Sequence, residues 1–234
     1  MRINKYIANS GVASRRKADE LIKNGKVKVN GSILGEPGYD VKPGDKVCID
    51  GKEIESHSDK VYYIMNKPLG VITSVSDDRG RITVVDIVSA ENERIFPVGR
   101  LDYNTSGLLF LTNDGEMANR IMHPGRKIPK TYRVRVAGHI NKTGLSILRS
   151  GVRLKDFTTS AAKIDVITWN RRSMLLEVTI HEGKNRQIRR MFEAIGYPVQ
   201  ELERISVGNI KLGHLKQGEY RKLRKGELEY LKTL

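Results

Sequence analysis

The loop Gly99-Arg100-Leu101-Asp102-Tyr103-Asn104-Thr105-Ser106-Gly107 holds a carboxylate in a setting where chemistry is easily built. It is polar and turn-rich. It runs straight into the apolar residues Leu108 to Leu111, which are closed by Asn113-Asp114-Gly115. A short apolar run bounded in this way predicts a strand buried on both faces. Loops fixed to such a scaffold are where functional groups concentrate. Asp102 and Arg100 are the only ionisable groups in the loop apart from the phenol of Tyr103. A carboxylate can act as a nucleophile or as a general base. An Asp in a turn can also simply cap amides two residues on, and local pattern does not separate the two.

Two further groups have suggestive spacing. Ile188, Met191, Phe192 and Ile195 recur at helical spacing, which predicts a helix with that stripe inward. At about 100° per residue, Arg189 falls on the border of the stripe, while Arg186 and Arg190 point toward solvent. Arg189 is therefore the arginine best placed to reach a buried carboxylate, and Arg186, Arg190 and Lys184 suit phosphates. All four cations are equally compatible with a plain solvated helix face. In Thr131 to Val136, Tyr132, Val134 and Val136 alternate with Arg133 and Arg135, so a strand is predicted with Tyr132 on its apolar face. Such a ring reads first as core, yet its face can also stack on a base.

The elements that must hold these groups follow from simpler signals. Tyr62 to Met65 predicts a strand, and Asn66-Lys67-Pro68-Leu69-Gly70 a sharp turn. Val71 to Ser74 and Asp77 to Val84 read as strand, loop and strand. Asp114 can cap a short helix carrying Met117, Ile121 and Met122, ended by His123-Pro124-Gly125. Leu145 and Leu148 suggest a short helix and Met174 to Ile180 a strand. Trp169 precedes a turn at Asn170-Arg171-Arg172, to which no chemistry is assigned.

Residues 1–58 read as a separate small module and 59–234 as the main domain, joined through the polar stretch 55–59. Ile3, Tyr6 and Ile7 share one helical face, with Gly11 as a stop. Ser14 can cap a second helix whose inward face is Ala18, Leu21 and Ile22, ended at Gly25. Two hairpins follow, turning at Asn30-Gly31 and Asp50-Gly51. Residues 1–28 hold eight basic side chains (Arg2, Lys5, Arg15, Arg16, Lys17, Lys23, Lys26, Lys28) against Asp19 and Glu20. A surface of that kind suits phosphate contacts, which give affinity without reading sequence. A second basic strip, with Lys211, Lys216, Arg221, Lys222, Arg224 and Lys225, lies toward the C-terminus.

The whole chain repeats this bias. Its 234 residues carry 42 Lys+Arg against 27 Asp+Glu, a formal charge of +15, which points to a polyanionic partner. Cys48 is the single cysteine, so no disulfide framework or cysteine metal site is expected. The histidines at 57, 123, 139, 181 and 214 have no ligand spacing. No apolar run predicts a membrane span or a signal peptide. The expectation is a cytoplasmic monomer that needs neither metal nor cofactor.

The motif Gly99-Arg100-Leu101-Asp102, Thr105, Gly107-Leu108-Leu109 and Thr112-Asn113-Asp114-Gly115 resembles the signature of pseudouridine synthases of the RsuA/RluB type. Asn66-Lys67-Pro68 through Gly80-Arg81-Ile82-Thr83-Val84 is similar to the family's first motif, Lys130-Thr131-Tyr132 to its tyrosine motif, and the 182–198 stretch to its third. Ile3 to Ala8, Gly11 to Ala18, Gly25-Lys26-Val27 and Val29-Asn30-Gly31 resemble a small RNA-binding domain shared with a small-subunit ribosomal protein. The resemblance implies an α+β protein: that small domain, then a larger one around a mixed, mainly antiparallel sheet. It implies that Asp102 is the catalytic group, Tyr132 stacks on the target uracil, Ile188 lines its pocket, and Arg189 is the basic partner of Asp102. Arg100 and Lys67 then fall among the substrate contacts, and the basic loop after Asp77 near the RNA. The implied reaction converts uridine to pseudouridine in ribosomal RNA, with the large-subunit branch nearest. A non-catalytic ribosomal RNA-binding factor, or a synthase acting on small-subunit or transfer RNA, remains as an alternative.

Overall fold

The computed structural model describes residues 1–55, 59–88 and 94–234, so the centre of the expected 55–59 linker lies outside the described residues. The described chain divides into two compact units, 1–61 with 94 and 95, and 62–88 with 96–234.

In the first unit, α1 (Ile3–Asn9) and α2 (Arg15–Lys23) bury Ile3, Ile7, Ala18 and Ile22. Ser14 caps α2, its hydroxyl accepting the Lys17 N–H at 3.1 Å. Strands β1 (Val27–Val29), β2 (Ser32–Ile33), β3 (Val47–Ile49) and β4 (Lys52–Ile54) pair in the order β2-β1-β3-β4. Both hairpin turns place their two central residues at positive φ: Asn30 at 51° and Gly31 at 83°, Asp50 at 47° and Gly51 at 83°. That geometry matches the twist of the flanking strands, and it is why Asn-Gly and Asp-Gly mark these turns in the sequence. Val27, Val47 and Ile49 close the core over the helices.

The second unit is built on a mixed sheet. Its strands are β5 (Tyr62–Lys67), β6 (Phe96–Val98), β7 (Ser106–Thr112), β8 (Lys130–Ala137), β9 (Lys163–Trp169), β10 (Ser173–Ile180), β11 (Val199–Val207), β12 (Ile210–Lys211) and β13 (Tyr220–Lys222). The order is β13-β5-β7-β11-β8-β10-β9, with β6 on β7 and β12 on β11. Only β7 and β11 pair in parallel among the described residues. Among the described residues five α-helices complete the unit, α3 (Val84–Ile87), α4 (Gly115–Met122), α5 (Lys142–Ser150), α6 (Gln187–Ala194) and α7 (Lys225–Thr233), with a 3-10 turn at Pro124–Arg126. Every residue of β7 is buried, as its apolar run requires. Leu108 and Phe110 pack with Ile64 against Met117 and Ile121 of α4 and Leu231 of α7. Asp114 caps α4 through the N–H groups of Glu116 and Met117. Of the apolar residues that the helix was expected to carry, Met117 and Ile121 are buried and Met122 is exposed.

Two expectations need correction. Asn66 and Lys67 do not turn; they continue β5 and are buried, and the turn begins at Pro68. Residues 71–84 form no pair of strands. Ile72 and Thr83 make one isolated bridge, and the chain then enters α3. The β-branched Thr83-Val84-Val85 reads as strand, but Asp86 accepts both the N–H of Thr83 (2.8 Å) and its hydroxyl (2.9 Å), which closes a capping box and starts a helical turn.

Candidate active site

The loop before β7 is held carbonyl by carbonyl. Thr73 Oγ1 donates to the Leu101 carbonyl at 2.8 Å, and Thr105 N–H to that of Asp102 at 3.0 Å. Gly70 N–H donates to the Tyr103 carbonyl at 2.9 Å, Arg189 Nη2 to that of Asn104 at 2.6 Å, and Lys67 Nζ to that of Thr105 at 3.0 Å. Five successive carbonyls, 101 to 105, thus each accept a hydrogen bond. The loop turns through its backbone, which leaves the Asp102 side chain to be presented outward on a fixed frame.

The strand below explains how the frame stays rigid. Gly107 has φ 112° and lies beside Arg204 in the parallel β7–β11 pair, where a Cβ would overlap the backbone of Arg204. Only glycine lets the two strands meet there. Arg204 is itself buried, and its Nε donates to the Leu108 carbonyl at 2.7 Å. In register, Lys67 lies opposite Gly107, Gly107 beside Arg204, and Arg204 opposite Tyr132. Tyr132 therefore stands two strand spacings, about 10 Å, from the residue that anchors the Asp102 loop. Its ring is buried on the apolar face predicted for it.

The Asp102 carboxylate is about a third exposed, and its Oδ2 lies 3.7 Å from Nη1 of Arg186. Here the structure departs from the sequence reading, in which Arg189 was the counter-charge. Arg189 is 8% exposed, and its guanidinium is taken up by the carbonyls of Asn104 and Val199 (3.1 Å). It supports the loop, and its charge reaches Asp102 only at longer range. Burial lowers its affinity for the proton, as does the nearby Arg186, against the opposing pull of Asp102. Arg186 precedes α6 in the left-handed region (φ 49°, ψ 29°), so helical periodicity says nothing about where its side chain points. A non-glycine residue held there costs about 1 kcal/mol and marks a place the fold over-determines.

Lys67 is wholly buried, donating to the carbonyls of Pro68 (2.9 Å) and Thr105. Burial pushes its ammonium down to about 8, with the Asp102 charge opposing. Ile188 is buried in the first turn of α6, next to Arg189. Arg100 is exposed, two residues before Asp102. Lys184 and Arg190 both stack over Phe157, and Arg190 also pairs with Asp156. In the first unit, Arg2, Lys17 and Lys26 pair with Asp40, Glu20 and Asp50, and Lys5 also has a partner. Arg15, Arg16 and Lys28 are exposed and make no ion pair among the described residues. Asp77 holds Arg81 by two side-chain bonds, which ties back much of the charge of that loop. Sequence reasoning passed over Thr73, Gly107 and Arg204 as working parts. The available signal was Arg204, a charge at an inward position of β11, whose pairing with β8 shifts register between Arg204 and Ser206.

An aspartate is thus presented by a five-carbonyl frame over buried cations, on a mixed sheet, in a chain whose first unit carries exposed basic side chains. Residues 61–194 match the family model of the RNA pseudouridylate synthases, and residues 1–47 that of the S4 domain. The chain belongs to the RNA pseudouridylate synthase family, in its RsuA/RluB-type branch with an RNA-binding S4 domain, and is a pseudouridine synthase acting on RNA. It is 46% identical over 235 residues to the ribosomal large subunit pseudouridine synthase B of Bacillus subtilis, covering 100% of this chain and 96% of that one. It is 39% identical over 230 residues to the dual-specificity RNA pseudouridine synthase RluF of Escherichia coli, covering 97% of this chain and 77% of that one. A crystal structure of a pseudouridylate synthase superposes with a TM-score of 0.71 at 29% identity, over 99% of both chains.

Proposed function

We propose that the substrate is a uridine in large-subunit ribosomal RNA and that Asp102 is the catalytic group. The observation that carries the second part is the frame itself. Every backbone acceptor from Leu101 to Thr105 is occupied, and the one carboxylate in the loop is left about a third exposed beside Arg186. Relatedness to the Bacillus large-subunit enzyme supports the choice of RNA.

The reaction breaks the bond from C1′ to N1, turns the base, joins C1′ to C5, and moves a proton from C5 to N1. It is an isomerisation with no net redox change. Asp102 acts at the sugar, as nucleophile or as base. The target must first leave its stack, at a cost of a few kcal/mol. Tyr132 and Ile188 hold the flipped uracil, and Arg186 supplies the counter-charge to Asp102. That attraction strengthens as substrate displaces water and the local dielectric falls. Arg189 and Lys67 act through the loop they grip. Arg100 with Arg15, Arg16, Lys28 and Lys184 supplies phosphate contacts that offset the flipping cost.

Asp102→Asn is expected to abolish pseudouridine formation while RNA affinity stays close to wild type, because affinity comes from the cations. Turnover by this variant at an appreciable fraction of wild type removes Asp102 from the catalytic role. Mapping pseudouridine in ribosomal RNA from cells with and without the gene tests the substrate. Loss of a large-subunit site is expected; loss confined to small-subunit or transfer RNA overturns the assignment.

A further inference from the structure

The β9–β10 hairpin carries an aromatic residue that neither the core nor the Asp102 site uses. Trp169, at the end of β9, is 61% exposed although it is the largest apolar side chain in the protein. A single exposed apolar side chain is ordinary on a protein surface, but an open indole joined by a second ring and by nearby cations in sequence is a surface that suits a base. The Trp169 ring meets that of His139 edge-on, with centroids 4.7 Å apart. Gly138 N–H donates to the Arg172 carbonyl at 2.9 Å, which ties the His139 segment to the Trp169 hairpin, and Tyr197 Oη separately holds the His139 carbonyl at 3.1 Å. Arg171, Arg172 and Lys142, close in sequence to the two rings, are all exposed. Neither 137–143 nor 166–174 contains an acidic residue.

The placement matters as much as the composition. β7 and β11 run parallel, with Ser106 beside Glu203, so the Asp102 loop leaves the sheet at the Val199 end of β11. Val199 pairs with Val136 of β8, and Ser173 at the start of β10 pairs with Ala137. The hairpin tip therefore emerges from the same end of the sheet as the Asp102 loop. It lies three to four strands away, roughly 14–19 Å at ordinary strand spacing.

We propose that Trp169 and His139, flanked by Arg171 and Arg172, form a stacking platform for an unpaired base of the RNA substrate a few nucleotides from the target uridine. Single-stranded RNA is held by this combination of aromatic faces and nearby cations, because every base has a π-face and every linkage a charge. A polyanion without bases would use the arginines and leave the indole untouched. The proposal rests on RNA being the ligand and not on Asp102 being the catalyst.

Trp169 is the only tryptophan, so its emission reports on this position alone. The intact enzyme is titrated with a labelled single-stranded oligoribonucleotide of about 12 nucleotides, within the range of single-strand binding sites, and separately with inorganic polyphosphate. Saturation is followed by anisotropy or by displacement of the labelled strand. The expected result is quenching by RNA and little change with polyphosphate. Trp169→Ala is expected to bind the oligonucleotide about tenfold to a hundredfold more weakly, with Trp169→Phe restoring most of the loss. With the natural substrate, the defect should fall on KM. Unchanged emission at saturating RNA, equal quenching by polyphosphate, or wild-type affinity of Trp169→Ala would overturn the platform. Asp102→Asn should quench as wild type does. Quenching by an Asp102→Asn enzyme that still turns over would therefore remove the catalytic assignment alone.

Discussion

The cations of the first unit and those beneath the Asp102 loop are the same residue types in opposite settings. Arg15, Arg16 and Lys28 stand in solvent with no ion pair among the described residues. Lys67, Arg189 and Arg204 are buried, at 0%, 8% and 5% exposure, and each donates to backbone carbonyls. An exposed cation is free to meet phosphate, and its effect is screened by salt. A buried one has lost its water and must be repaid by fixed acceptors, so it becomes part of the frame. Counting charges finds both groups; only burial separates a gripping surface from a scaffold. Arg186 sits between them, half exposed and paired with the proposed catalytic carboxylate.

The sharpest way to break this contrast is to compare two arginines three residues apart. Arg189→Met keeps the bulk but strands the carbonyls of Asn104 and Val199. The expected loss of stability is about 2–5 kcal/mol, with activity falling alongside it. Arg186→Met removes a part-exposed pair, so stability should stay within about 1 kcal/mol of wild type while turnover falls at least about tenfold. Denaturant unfolding of both variants, beside single-turnover rates, reads the two effects separately. If Arg186→Met unfolds easily, or Arg189→Met is as stable as wild type, Arg186 is the scaffold residue and Arg189 is not. In a double-mutant cycle, Asp102 should couple more strongly to Arg186 than to Arg189.

That contrast also marks where the sequence stopped being legible. The Asp102 loop, the buried β7, both hairpin turns, the Ser14 and Asp114 caps and the alternation of β8 are all local patterns, and each could be read from a few neighbouring residues. The identity of the ion pair could not. A helical wheel places Arg189 at the edge of the apolar stripe, but Arg186 lies before the helix in a left-handed conformation that no wheel describes. The failure at 71–84 has a related cause: one side-chain cap at Asp86 outweighed the β-propensity of the residues around it. Lys67 looked like part of a turn because Pro68 follows it. The strand instead continues through Lys67, because its ammonium finds acceptors at Pro68 and Thr105. Contacts such as Thr73 on Leu101, 28 residues apart, leave no trace in local pattern.

Lys67 separates charge from position. Its ammonium is pushed down to about 8 by burial, against about 10.4 for an exposed lysine. Between those values the folded protein binds fewer protons than the unfolded chain, so stability should rise with pH across that window as the buried charge is relieved. A neutral amine still has two N–H groups, enough for both carbonyls, so the loop should keep its place. Only the positive charge near Asp102 is lost. Activity is therefore expected to decline on the alkaline side with an apparent pKa near 8. Lys67→Met should have lower activity throughout and lack that limb. A wild-type profile flat through this region would mean that the charge of Lys67 is immaterial and that its hydrogen bonds alone matter.

The smallest effects belong to the exposed cations, and they make the most specific test of the first unit. Arg15 and Arg16 open α2 in full solvent, and neither has an ion pair among the described residues. Changing both to Gln removes no buried contact, so unfolding should be unaffected. Each lost phosphate contact should reduce the slope of log affinity against log salt by about 0.7–0.9, because one fewer counterion is released on binding. Lys17 offers an internal control. It already pairs with Glu20 at 2.8 Å, so Lys17→Gln should change the slope less than either arginine does. At high salt, all the variants should converge on wild type, since only the screened part of the affinity has been removed. A shift in affinity that is independent of salt would mean that these residues act through structure. An unchanged slope would mean that they do not touch the RNA backbone at all.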